Sequence, residues 1–356
     1  MDDGTLAPLT WHTALTTWRL AWVPDLLVAI AAAIYLIGVV RARRRGGWPW
    51  RRTASFLAGL AVIVIGLNSS IEVYSDVLFW IHMILHLMLI MVAPVLLVGG
   101  RPLTLWQAAG APRLSGRLPR RADGAVRWAA DAATFPLVAL ALYVAVLAGT
   151  HLTSFMQLML THGYLDHVEH VMYLGTGFLY FLPLVGSEPV RWRLSYPLRL
   201  FLLFLGMGVD TLVGLILIQT PSEPWPAYAA VHRTWGIGLV EDVHWGGSVM
   251  WIGGDGLMVV VMLAVMFGWL MSPAGAQAGP GSWLEGVRRG ALAGTGHDPA
   301  AAAPISGSAD VDEDSAALDA YNTMLARLAR GEGGQSESES ESESESESES
   351  ESESQR

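Results

Sequence analysis

The feature that most constrains this chain is a set of long apolar runs, several of them close to the roughly 20 residues an α-helix needs to cross a bilayer. One of them, residues 77–100, reads VLFWIHMILHLMLIMVAPVLLVGG and carries two histidines near its start. Seven spans are expected, at residues 24–40, 55–71, 77–98, 135–150, 165–186, 198–219 and 247–271. The fourth is short, which suggests a start nearer Trp128. The fold class is all-α, a polytopic membrane helix bundle. It is flanked by an N-terminal segment, residues 1–23, and a C-terminal region, residues 272–356.

Arginine placement sets the expected orientation, because positive charge collects in cytoplasmic loops. Arg41, Arg43, Arg44, Arg45, Arg51 and Arg52 follow span one, a second set from Arg101 to Arg127 follows span three, and Arg191, Arg193 and Arg199 follow span five. The alternate loops carry only Arg233. The N-terminus is therefore expected outside and the C-terminus in the cytoplasm, a multi-pass arrangement in the plasma membrane. The N-terminus lacks the basic stretch and cleavage site of a secretory signal.

Net charge is a poor guide here. Of 32 acidic residues, ten lie in 331–356, a Ser-Glu repeat that cannot form a core. The remaining 22 acids face 21 arginines, so no nucleic-acid or other strongly charged partner follows. Residues 272–312 read as a flexible Gly/Ala/Pro linker. Residues 314–330 read as one short amphipathic helix with Leu318, Tyr321, Leu325 and Leu328 on one face. Cysteine is absent, so thiolate sites and cysteine nucleophiles are excluded. No nucleophile elbow, phosphate-binding loop or dinucleotide fingerprint occurs in a usable context, and an enzyme is not expected.

The histidines carry the chemistry. His82 and His86 are four apart on span three, so they share one helix face and can share one metal ion, with Met83 beside them. The run HGYLDHVEH holds His162, His167 and His170 at the outer start of span five. His12, His151, His232 and His244 also fall on the outer side; only His297 falls inside. His82, His86, His167 and His170 are the expected primary ligands, with His162, His244 and Met83 as a second site or relay. Asp166, Glu169 and Asp242 are placed to steady ligand histidines or to ligate directly. Outer histidines and methionines without cysteine favour copper. Asp210 and Asp255 lie within spans six and seven, where an acid is either paired or on an ion path. The alternative for them is a structural hydrogen bond on helix faces made small by Gly206, Gly208, Gly253, Gly254 and Gly256.

Three segments resemble the CtaG-type membrane assembly factors of cytochrome c oxidase. They are His82-Met83-x-x-His86-Leu87 running into Ala93-Pro94 and Gly100-Arg101-Pro102; His167-Val168-Glu169-His170 with the apolar run to Pro183; and Asp242 through Gly247 to Met250-Trp251. The likeness covers roughly residues 20–271. The chain departs from the family pattern after Asp242, where Val243 and His244 stand in place of glutamines, and the acidic tail lies outside it. The resemblance implies a part in maturing a haem-copper oxidase, with oxidase subunits and the lipid bilayer as partners. The leading expectation is a non-enzymatic factor that binds copper on its outer face and delivers it. Three other readings stay open: a cytochrome with haem held by the same histidines, a metal permease using Asp210 and Asp255, and a metal-free assembly scaffold.

Overall fold

A computed structural model of the chain describes residues 6–110, 124, 128–129, 131–186, 188–192, 194–231, 233–272, 318–319, 321–323 and 325–326. The chain divides into two compact units, residues 1–268 and 269–356. No strand occurs among the described residues of the first unit, which is a bundle of helices. A short α1 (Trp11–Thr16) precedes α2 (Trp22–Arg43) and α3 (Trp50–Asn68), which are spans one and two. A one-and-a-half-turn α4 (Ser70–Ser75) then leads into span three.

Span three is the hub. Of its apolar window 72% is buried, against 11% in α2. It runs as α5 (Phe79–Leu87), a π-helical turn (Met88–Val92) and α6 (Ala93–Gly99). Pro94 explains the irregular turn. Proline lacks an N–H and its ring clashes with the carbonyl four residues back, here that of Ile90. Arg101 then takes a left-handed backbone, with φ 51°, and the chain turns into α7 (Pro102–Ala108).

Span four gains its length at the opposite end from the one expected. Helix α8 (Pro136–His151) starts beside the expected position, and a break at residues 152–154 bends the chain by 65° into α9 (Phe155–Thr161). The remaining long helices are α10 (Gly163–Val185) and α11 (Tyr196–Ile218). A five-residue α12 (Pro226–Ala230) precedes span seven, built from α13 (Leu239–Ser248), a second π-helical turn (Val249–Gly253) and α14 (Gly254–Leu270). Span seven therefore begins eight residues before the expected Gly247, and Asp242 and His244 lie within it. Among the described residues, six helices are long and apolar enough to cross a membrane, or seven if α8 and α9 form one bent span.

Two glycine contacts set the close packing. A Cβ at Gly177 of α10 would overlap the Ile90 carbonyl, so this glycine lets α10 close over that carbonyl. Gly214 and Gly247 face each other where α11 crosses α13; a Cβ on either would lie 2.7–2.8 Å from the other's carbonyl oxygen. Small residues of this kind are what allow helix backbones to touch where there is no hydrophobic drive between them.

In the second unit, described residues 318–319, 321–323 and 325–326 are helical. The rest of the expected 314–330 helix, the linker, His297 and the Ser-Glu repeat lie outside the described residues, as does His232.

Candidate metal centre

His82 and His86 project from adjacent turns of α5 with ring centroids 4.1 Å apart. Glu169, on the second turn of α10, meets both. Its Oε2 lies 3.5 Å from His82 Nε2 and 3.4 Å from His86 Nε2. All three residues are buried, Glu169 completely so. Those separations are too long for good N–H···O hydrogen bonds, which fall at 2.7–3.2 Å. They match the edge of a tetrahedron around an ion with bonds of roughly 2.1 Å, which is about 3.4 Å. His82 Nε2, both ring nitrogens of His86 and both oxygens of Glu169 have no hydrogen-bond partner among the described residues. Buried polar atoms without partners are costly and rare, and one ligand atom from each of these three residues comes together within 4.8 Å, which is the chemistry of an ion site.

His151 stands next to this group at the end of α8. Its ring is perpendicular to that of His86, with centroids 5.2 Å apart. Its Nδ1 lies 3.0 Å from the Leu147 carbonyl, which only accepts, so Nδ1 carries the proton and Nε2 presents a lone pair. That Nε2 is buried and also unpartnered. Tyr173 stacks on His86 at 3.9 Å, and its hydroxyl hydrogen-bonds Thr150, which fixes the wall behind the ring.

Asp242 has a different role from the one expected. It does not contact His244. Its two carboxylate oxygens accept from the backbone N–H groups of Phe79 and Trp80 at 3.2 and 3.1 Å, and from Arg233 at 2.9 Å. Leu78 supplies no side-chain cap to α5, so span seven caps the helix that carries His82 and His86. A carboxylate at a helix N-terminus satisfies orphan donors and the helix dipole together.

A second group lies at the same ends of α4 and α10. His170 Nε2 is 3.4 Å from Asp166 Oδ1 and 3.7 Å from Glu72 Oε2 of α4. His167 Nδ1 bonds Asp166 Oδ2 at 3.2 Å, and its ring is exposed. Burial, together with the neighbouring charges of Asp166 and Asp76, pushes the Glu72 carboxyl up to about 9. Burial and Asp166 raise Asp76 to about 6.

The expected four-histidine set is thus divided. His82 and His86 converge, and their third partner is Glu169. His167 and His170 belong to the second group. His162 precedes α10 in extended backbone, exposed, with Nδ1 on the Leu158 carbonyl, so a count of helical turns does not carry it onto the His167 face. His244 Nε2 bonds the Thr220 carbonyl at the end of α11. Met83 is buried against the position of Gly246. His151 lies outside the expected ligand set although the sequence places it on the outer side, and of the two places open to Glu169 the structure gives it the one directly beside His82 and His86. A usable signal was the buried stripe of α10, where Tyr180, Thr176, Gly177 and Tyr173 lead back to Glu169 and His170.

The intramembrane acids have partners. Asp210 accepts from the Tyr143 hydroxyl at 3.0 Å, and Asp255 from Thr211 at 2.8 Å. Gly206 abuts the Tyr180 hydroxyl, Gly253 abuts Leu87, and Gly254 faces Asp210, whereas Gly208 and Gly256 border open space and serve no close contact.

The sequence profile of a family described as cytochrome c oxidase caa3 assembly factors matches residues 33–272. Uncharacterized proteins of Mycobacterium bovis and Mycobacterium tuberculosis are each 28% identical over 337 residues, covering 91% of this chain and 46% of theirs. One from Mycobacterium leprae is 26% identical over 326 residues, covering 88% and 45%. The chain thus spans less than half the length of these relatives. No solved structure matches.

Proposed function

Because the chain belongs to the family of cytochrome c oxidase caa3 assembly factors, we propose that it serves oxidase maturation by holding a copper ion as cargo between His82, His86 and Glu169. The observation that carries this reading is the convergence of those three buried side chains at 3.4–3.5 Å with no hydrogen bonds to satisfy them. Nitrogen and carboxylate ligands without thiolate suit a divalent ion, and copper binds such sets most tightly among the first-row metals. Three ligands leave a coordination position free for His151 or for an incoming group, which suits an ion that must leave again. The recipient is an oxidase subunit, reached from the outer face that the arginine distribution assigns to the start of span three.

The geometry favours an ion over haem. The Nε2 atoms of both histidines lie 3.4–3.5 Å from one Glu169 oxygen, too far for good hydrogen bonds and suited to ligands of one small ion, and Tyr173 stacks on the His86 ring.

The test is metal content and visible absorption of protein purified in mild detergent. Wild type is expected to retain copper without a Soret band, and His82→Ala/His86→Ala and Glu169→Gln to lose it while still eluting as folded protein. Undiminished copper in both variants would overturn the assignment. Absence of metal from wild type after copper loading would leave a scaffold as the family role, with the buried histidines as interior packing.

A further inference from the structure

The second group is built differently from the first. Glu72, Asp166 and His170 come from two elements, α4 and α10, and offer two carboxylates and one imidazole. His170 is more than nine-tenths buried, and its Nε2 has no hydrogen-bond partner among the described residues, although it points between the two carboxylates at 3.4 and 3.7 Å. Glu72 Oε2, the oxygen it faces, is also unpartnered. As in the first group, the separations exceed a good hydrogen bond and fit two ligands of one ion. Asp166 is steadied by His167, which takes up its other oxygen.

Access differs as well. The side chains of the first group are at most 3% exposed, whereas Asp166 and Glu72 are 18% and 23% exposed and His167 is 74% exposed. Glu169 and His170 are consecutive residues, one turned to each group. We infer that Asp166 and His170, with His167 close by and Glu72 facing His170 from α4, form a second divalent-cation site, more open than the buried one and adjoining it through the Glu169–His170 pair. The existence of this site is independent of the copper reading; only its service as the loading point for the buried ion rests on it.

Equilibrium dialysis of the full chain in detergent against Co²⁺, followed by metal counting, tests this. Wild type is expected to hold two ions. Glu72→Gln/Asp166→Asn, which keeps side-chain size, is expected to hold one, as is His82→Ala/His86→Ala, and the combined variant none. His170→Gln gives a second route to the same loss should the double acid variant fail to elute as folded protein. Two ions in the Glu72→Gln/Asp166→Asn variant, or loss of both, overturns the second site. A single wild-type ion lost only in the His82→Ala/His86→Ala variant also overturns it and leaves the buried site standing. A single ion lost only in the acid variant supports the second site and overturns the buried one.

Discussion

At the scale of single residues, Asp242 bears the heaviest structural duty. It closes the N-terminus of α5 and neutralises Arg233, whose side chain is 6% exposed. Removing one member of such a pair leaves the other charge buried alone, at a cost of about 3–5 kcal/mol. Asp242→Ala is therefore expected to lower the thermal unfolding midpoint sharply in detergent, and to do so more than Asp242→Asn, which still accepts from one backbone N–H. If the two variants melt alike and close to wild type, the cap contributes nothing measurable. Sequence alone shows an acid two residues from a histidine and suggests that the two work together. The 163-residue separation between Asp242 and Phe79 lies beyond any local pattern, and that is why its partner was not legible.

At the scale of elements, α10 shows what spacing can and cannot decide. His167 and His170 are three apart, which permits one shared face, yet the bundle takes the face on which Glu169, His170 and Tyr173 lie and leaves His167 exposed. His82 and His86 are legible because a four-residue step on a hub helix leaves little choice of face. The choice on α10 depends on its seat against span three, fixed by Gly177 over the Ile90 carbonyl. Gly177→Ala must push α10 away from backbone rather than from a flexible side chain. A destabilisation of about 1–3 kcal/mol is expected, and, under the proposed copper reading, a weaker hold on the ion, since Glu169 sits two turns from the displaced contact. Wild-type melting and wild-type metal affinity in this variant would show that the helix is positioned by other contacts.

At the scale of the whole molecule, the number of spans was close to legible because apolar length is a direct reading of bilayer thickness. The bend between α8 and α9 was not, because nothing in residues 152–154 is a strong breaker, and the early start of span seven was hidden by the polar residues Glu241, Asp242 and His244. The expected orientation rests on arginine distribution alone, and the cysteine-free chain makes it simple to measure. Gly46 and Gly238 are exposed, with no atom within 4 Å of an added Cβ. Gly238→Cys is expected to react with a membrane-impermeant maleimide in intact cells, and Gly46→Cys only after lysis. The reverse pattern would invert the topology and place both metal groups on the cytoplasmic side.

The tie between Asp242 and the start of α5 also sets an order of events during synthesis. Every candidate ligand of both groups has been synthesised once residue 170 is made, but the helix bearing His82 and His86 gains its cap only after another seventy or so residues. Under the proposed metal reading, capture of an ion would be coupled to completion of span seven. A nascent or truncated chain would hold the candidate ligands without the Asp242 cap on their helix.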